Sequence, residues 1–167
     1  MTISNGTWQV ISEMGPTQNI ADTSTTKNHE IGKRVRARDV GIATAYGEAE
    51  FIYLKGVAST AVGSLVMYDH DGTTTLTVAR IKGPVAVAMS ANVASGFGWY
   101  QIQGRAVVKC ATVAANTVMY VTASAGVVDD AVVAGDIVYG ARISTVDDTG
   151  LCQANIMYPS CNDTDNA

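Results

Sequence analysis

The chain has 167 residues, of which 47% are hydrophobic and only 16% charged, with 16 glycines, 3 prolines and a formal net charge of −4. That length suits one domain with a true core, and the composition is too apolar for a disordered chain. No run approaches the ~18 uninterrupted apolar residues of a membrane-crossing helix, and the first residues lack a basic segment followed by an apolar one, so neither a membrane anchor nor a secretory signal is expected.

Charge is unevenly placed. Residues 1–38 carry a net +2, residues 39–111 balance, and residues 112–167 carry −6. Without a clustered basic tract, nucleic acid is not expected as the main ligand, because neutralising phosphates requires grouped Lys and Arg.

Residues 1–30 are rich in Thr, Asn, Ser and Gln, with isolated apolar positions at Trp8, Val10, Ile11, Met14 and Ile20. Such a segment cannot close a core alone, so it reads as an extended arm that orders against something else. Trp8, Val10, Ile11 and Met14 are its candidate anchors. From Gly32 to Asp39 charge alternates with small or apolar residues, which predicts a strand with Arg34, Arg36 and Arg38 on one face. Either this is a solvated edge protected by charge, or it is an interface in which basic and acidic surfaces pair.

The body is expected over residues 31–158. Glu48–Lys55 reads as a strand, and three later copies of a small polar turn run into an apolar strand with tyrosine: Gly63–Tyr68, Asn116–Tyr120 and Gly135–Tyr139. Turn formers admit the reversal, and β-branched and aromatic residues suit the pleated surface that follows. Consecutive hairpins in an Ala/Val-rich chain produce such recurrence without any duplication. Asp69-His70-Asp71-Gly72 predicts a tight hairpin turn into Thr73–Ala79. Val85–Met89 follows Gly83-Pro84 as another strand, and Trp99–Lys109 reads as a strand bent or bulged at Gly104, where no side chain opposes the kink. A hairpin through Ala125-Gly126 and a closing strand over Leu151–Tyr158 complete an all-β body, a small antiparallel barrel or sandwich. Residues 159–167 read as a polar tail.

No constellation demands catalysis. His29 and His70 stand in polar surroundings, and Asp69-His70-Asp71 is better read as a solvated turn than as a metal site. Glu48 and Glu50 share a strand face, with nothing in the sequence to desolvate them, so an exposed edge is the better reading. Asp129-Asp130 and Asp147-Asp148 lack the spacing of a calcium loop, and Gly96-Phe97-Gly98 lacks the Lys-Ser/Thr and the helix of a phosphate loop. Three cysteines without a close pair suggest no disulfide framework; Cys110 and Cys152 read as buried small hydrophobes, and Cys161, in the tail, as exposed. No cofactor, metal or enzymatic activity is expected.

From Ile31 to Tyr158 the order of features resembles the head decoration (cement) proteins of tailed bacteriophages. The stretches that carry the likeness are Gly47–Lys55, Gly83–Ala88, Gly98–Gly104 and Gly135–Arg142. The resemblance implies a non-enzymatic β-barrel or sandwich, commonly a homotrimer, that is made in the host cytoplasm and sits on the capsid exterior of the virion. There it would bind the major capsid protein and tie neighbouring subunits together. Two alternatives use similar β composition: a tail or fibre subunit, and a carbohydrate-binding module with Trp99 and Tyr100 as its aromatic platform.

Overall fold

The computed structural model describes residues 3–12, 18–42, 44–146 and 149–162. Among these all regular structure is β, as the sequence predicts. The strands in chain order are β1 (Trp8–Val10), β2 (Thr23–Ser24), β3 (Arg34–Asp39), β4 (Glu48–Lys55), β5 (Leu65–Tyr68), β6 (Thr74–Leu76), β7 (Gly83–Ala88), β8 (Phe97–Lys109), β9 (Val118–Val121), β10 (Val128–Asp129), β11 (Ile137–Val146) and β12 (Leu151–Cys161). They form one antiparallel sheet in the order β1-β3-β4-β8-β7-β12-β11-β9-β10. The β5–β6 hairpin is attached to β7, and β2 to the start of β8. The sheet is open, with β1 and β10 at the ends of this path.

The long strand β8 joins the two halves. Its first half pairs with β4, from Phe97↔Lys55 to Gln103↔Glu50, and its second half pairs with β12, from Gln103↔Met157 to Lys109↔Leu151. The change of partner falls where the sequence predicts a bend. The β4 register slips by one residue between Glu50 and Phe51, and Gly104 has φ +104°. A Cβ on Gly104 would stand 2.9 Å from both the Cβ of Ala49 and the carbonyl oxygen of Glu48, so the neighbouring strand closes against a missing side chain.

The three turn-strand copies share one geometry. Gly63, Asn116 and Gly135 all have left-handed backbone, with φ +82°, +63° and +83°. Glycine and asparagine tolerate that region best, which explains the residue choice. In the first and third copies the next residue donates its backbone N–H to the carbonyl three positions back, Ser64 to Ala61 and Asp136 to Val133. In the second, the Thr117 hydroxyl donates to the Ala114 carbonyl at 2.7 Å. The Asp69–Gly72 hairpin also forms as expected, with Met67 opposite Thr75 and the Asp69 carboxylate accepting the Asp71 and Thr73 amides.

Two parts of the sequence reading are corrected. The described portion of residues 1–30 packs on the chain's own body: Ile3 and Ile20 are buried, β1 pairs with β3, and β2 pairs with β8. The final strand runs to Cys161, whose backbone pairs with Gly83, so this thiol is buried rather than exposed in a tail.

The core divides into distinct clusters. Residues of β7, β8, β9, β11 and β12 enclose an aliphatic one, including Val87, Val108, Met119, Val138, Ile143, Cys152 and Ile156, with no aromatic side chain. The N-terminal strands and the start of β8 enclose Phe51, Tyr53 and Trp99 together with Ile20, Val35 and Met89. A third cluster under the β5–β6 hairpin holds Leu54, Val66 and Tyr100.

Candidate interaction surface

The period-two prediction for β3 holds. Val35 and Ala37 point into the core, whereas Arg34, Arg36 and Arg38 stand exposed on the other face. On the adjacent strand Glu48 and Glu50 share that face, with Arg36 opposite Glu50 and Arg38 opposite Glu48. The ion pairs run diagonally, Arg36 with Glu48 and Arg34 with Glu50, the latter at 3.9 Å. Cross-strand neighbours project to the same side, so the row continues across the sheet. Glu50 stands opposite Gln103, Gln103 opposite Met157, Arg105 opposite Asn155, and Asn155 opposite Arg142.

The sequence did not reveal this assembly. Five of the chain's six arginines (34, 36, 38, 105 and 142) lie on one sheet face formed by β3, β4, β8, β12 and β11, and all five are exposed. Among the described residues two carboxylates, Glu48 and Glu50, stand among them. Arg38 donates to the Gln9 amide oxygen at 3.2 Å, Arg105 to the Ala45 carbonyl at 3.4 Å and Arg142 to the Asn116 carbonyl. Among the described residues these three arginines have no carboxylate at ion-pair distance. The face is therefore locally basic on a chain whose net charge is −4. Arg105 and Arg142 lie 71 and 108 residues beyond Arg34, and only the β8–β12–β11 pairing brings them to it.

A double bulge interrupts this face at β11 and β12. Tyr139 is opposite Ser160 but Ala141 is opposite Ile156, leaving extra residues on both strands. Gly140 has φ +73° and Tyr158 φ +47°, a strained conformation for a bulky side chain. The distortion leaves Met157 68% and Tyr158 53% exposed. Tyr158 is nevertheless fixed: its hydroxyl donates to Glu50 at 2.8 Å, and the Arg34 guanidinium lies over its ring at 5.9 Å. The hydrogen bond and negative charge of Glu50 raise the Tyr158 pKa. Beside it lies a shallow groove of about 430 Å³ lined by Gly140, Ala141, Arg142, Asn155, Ile156 and Met157. A smaller cleft of about 160 Å³ lies between Ser12, Val35, Arg34, Arg36 and Glu50.

The expected anchors of the arm fare differently. Trp8 and Val10 pack against the chain's own aromatic cluster. The Trp8 ring stacks on Tyr46 at 6.4 Å, meets Phe51 edge-on at 5.0 Å, and donates its indole N–H to the Asn5 carbonyl. These two side chains are half-buried against the chain's own body, because β1 completes the hydrophobic side of β3. Ile11 remains 42% exposed, and Met14 lies outside the described residues.

The arm is further held by a buried amide. The Gln18 side chain donates to the Asp22 and Phe97 carbonyls, both at 2.9 Å, and accepts from the Tyr53 hydroxyl at 2.8 Å and the Asn28 amide at 3.1 Å. Its own carbonyl accepts the Trp99 indole N–H at 3.0 Å. All four hydrogen-bonding positions of the side chain are thus matched. His29, expected in polar surroundings, instead lies against the rings of Tyr53 and Trp99, at 5.1 and 5.2 Å.

Trp99 and Tyr100 are buried on opposite faces of β8, at 0% and 1% exposure, so they form no external aromatic platform. Cys110 and Cys152 are buried as expected, and burial holds the Cys152 thiol well above its ordinary range. Asp147 and Asp148 lie outside the described residues. Among the described residues no group of three His, Cys, Asp or Glu side chains is arranged to hold a metal ion, and no helix is long and apolar enough to cross a membrane.

No family model, curated protein or solved structure matches this chain.

Proposed function

We propose that the protein is a non-enzymatic structural subunit of a bacteriophage virion, bound to the capsid exterior as a decoration or cement subunit. Its partner in this reading is the major capsid protein, and its assembly a homotrimer. The observation that carries the reading is the broad arginine-rich sheet face, held on a rigid antiparallel scaffold. Arginine, tyrosine and methionine are enriched where proteins meet, and this face presents all three. The stretches that resemble decoration proteins support it as well, because they form β4, β7, the first half of β8 and the start of β11, much of the centre of the sheet.

A cement subunit acts by burying surface across the seams of a shell, so that expansion or rupture must also break those contacts. Binding only the assembled shell stabilises it by mass action, and symmetry repeats each small contact many times. The contact is assigned to the sheet face, since Trp8 and Val10 are engaged within the subunit. A tail or fibre subunit would use the same scaffold at another place in the particle.

Co-sedimentation of the purified protein with undecorated capsids tests the proposal. Saturable occupancy, in a fixed ratio to the capsid protein, is expected. Absence of binding to assembled shells, with binding to isolated tails instead, would transfer the protein to the second location. Light scattering of the free protein tests the trimer, which a monomer at micromolar concentration would refute.

A further inference from the structure

We infer that the arginine face receives an extended acidic polypeptide segment, one that carries carboxylates and apolar side chains on the same side, at every second residue. The inference deepens the decoration reading and rests on it for where the partner resides. The chemistry rests on the face itself.

Three features define the occupant. First, among the described residues Arg38, Arg105 and Arg142 donate to neutral oxygens. Planar guanidinium groups match carboxylates in bidentate geometry, and exchanging a neutral acceptor for a carboxylate strengthens the bond. The Arg36–Glu48 ion pair is itself solvent-exposed, and exposed pairs are weak, so an incoming carboxylate can displace it.

Second, the charge is interleaved with apolar surface. Met157 and Tyr158 project beside Arg34 and Arg142, next to the groove over Gly140 and Ile156. The glycine leaves that floor without a side chain, and its backbone packs so closely that a Cβ would meet the Met157 carbonyl oxygen at 2.6 Å. An apolar side chain seated there would lie beside Arg142, and a carboxylate two residues along an extended segment would fall on the same side of that segment.

Third, the same face disfavours a nucleic acid. Glu48 and Glu50 stand inside the arginine rows, where a continuous phosphate backbone would meet them, and the whole chain carries −4. A polypeptide can place a neutral residue opposite those two positions. A phosphodiester chain has no neutral link to offer.

The test uses the full chain and a capped Glu-Val peptide, in which Glu and Val take turns at every second residue with Ser between them, followed by amide chemical shifts. A Lys-Val peptide of equal length, a Glu-Ser peptide and a single-stranded oligodeoxynucleotide serve as comparisons. Shifts confined to β3, β4, β8, β11 and β12 are expected with Glu-Val, weaker ones with Glu-Ser, and none with Lys-Val. Arg36→Ser and Arg105→Gln should each weaken Glu-Val binding by about tenfold, the loss of one charge-assisted contact. Arg80→Gln, which alters the one arginine off the face, should leave it unchanged. Raised salt should weaken all binding. Equal affinity of the face variants and the unaltered chain, shifts centred elsewhere, or tighter binding of the oligonucleotide would each overturn the inference. The two readings fail separately: capsids decorated equally well by the face variants sink the acidic-segment inference alone, whereas Glu-Val binding without capsid binding sinks the decoration reading alone.

Discussion

The two ends of the sheet are stabilised by different means. Around β3, β4 and the start of β8, large aromatic rings close on a buried amide whose every hydrogen-bonding position has a partner. Around β9, β11 and β12 the interior is Val, Ile, Ala, Cys and Met, without a single ring. The first region is specified by particular partners, the second by volume and by the alternation of the pleat. A buried polar hub is costly when half satisfied and tolerates little replacement, while an aliphatic core accepts substitutions of equal size.

Loss of the largest ring should have the greatest effect. Trp99→Ala removes a fully buried indole and its bond to the Gln18 carbonyl, and should cost about 3–5 kcal/mol in urea unfolding. Next comes the substitution that separates the two kinds of core. Gln18→Leu keeps similar bulk but strands the Tyr53 hydroxyl, the Asn28 amide and two carbonyls, so a loss of roughly 3 kcal/mol is expected. Met119→Leu, buried in the aliphatic cluster, should cost less than about 1.5 kcal/mol. Similar costs for the two would erase the distinction. Hydrogen exchange should also show strong protection near Gln18 and Asn28 in the free protein, in contrast to a loose arm.

Titration extends the comparison with smaller effects. Asp39 ties Thr7, Gly41 and Tyr46 together by accepting their backbone amides. Burial raises its pKa, but the hydrogen bonds from these amides, with the Thr44 hydroxyl nearby, outweigh that and hold it below 3.8. Its contribution is complete above that value and is lost as pH falls further. At the other end of the sheet, burial and the Asp136 charge push the Cys161 thiol from 9.0 up to about 12. A raised acid pKa favours the folded state below the unfolded value, so that stability is lost between pH 9.0 and about 12. Unfolding midpoints against pH check both directions, and Asp39→Asn should flatten the acid limb. The smallest effect belongs to the exposed face: Glu48→Gln should change stability by less than about 1 kcal/mol, because its ion pair with Arg36 is solvated.

Local signals carried much of the fold. The left-handed turns at Gly63, Asn116 and Gly135, the hairpin at Asp69–Gly72 and the bend at Gly104 were legible because each needs a particular residue type at a particular backbone angle. The alternation in β3 likewise located three arginines of the face. Arg105 and Arg142 were hidden because their approach depends on the long-range pairing of β8 with β12 and β11. Gln18 reads in the sequence as one more polar residue of an arm, since nothing in its neighbourhood announces Tyr53, Asn28 and Phe97 as partners. Cys161 misled for the same reason, as its polar sequence neighbours conceal a strand paired with Gly83. The bulge at Tyr158 combines both problems, being a strained residue held by Glu50 from a strand 108 positions earlier.

High-resolution imaging of capsids incubated with the protein tests the central claim most directly. The account predicts subunits bound with β3, β4, β8, β12 and β11 facing the shell, and Arg36, Arg105 and Arg142 within contact distance of capsid carboxylates. Subunits attached with that face turned to solvent, or shells left bare at saturating protein, would contradict it.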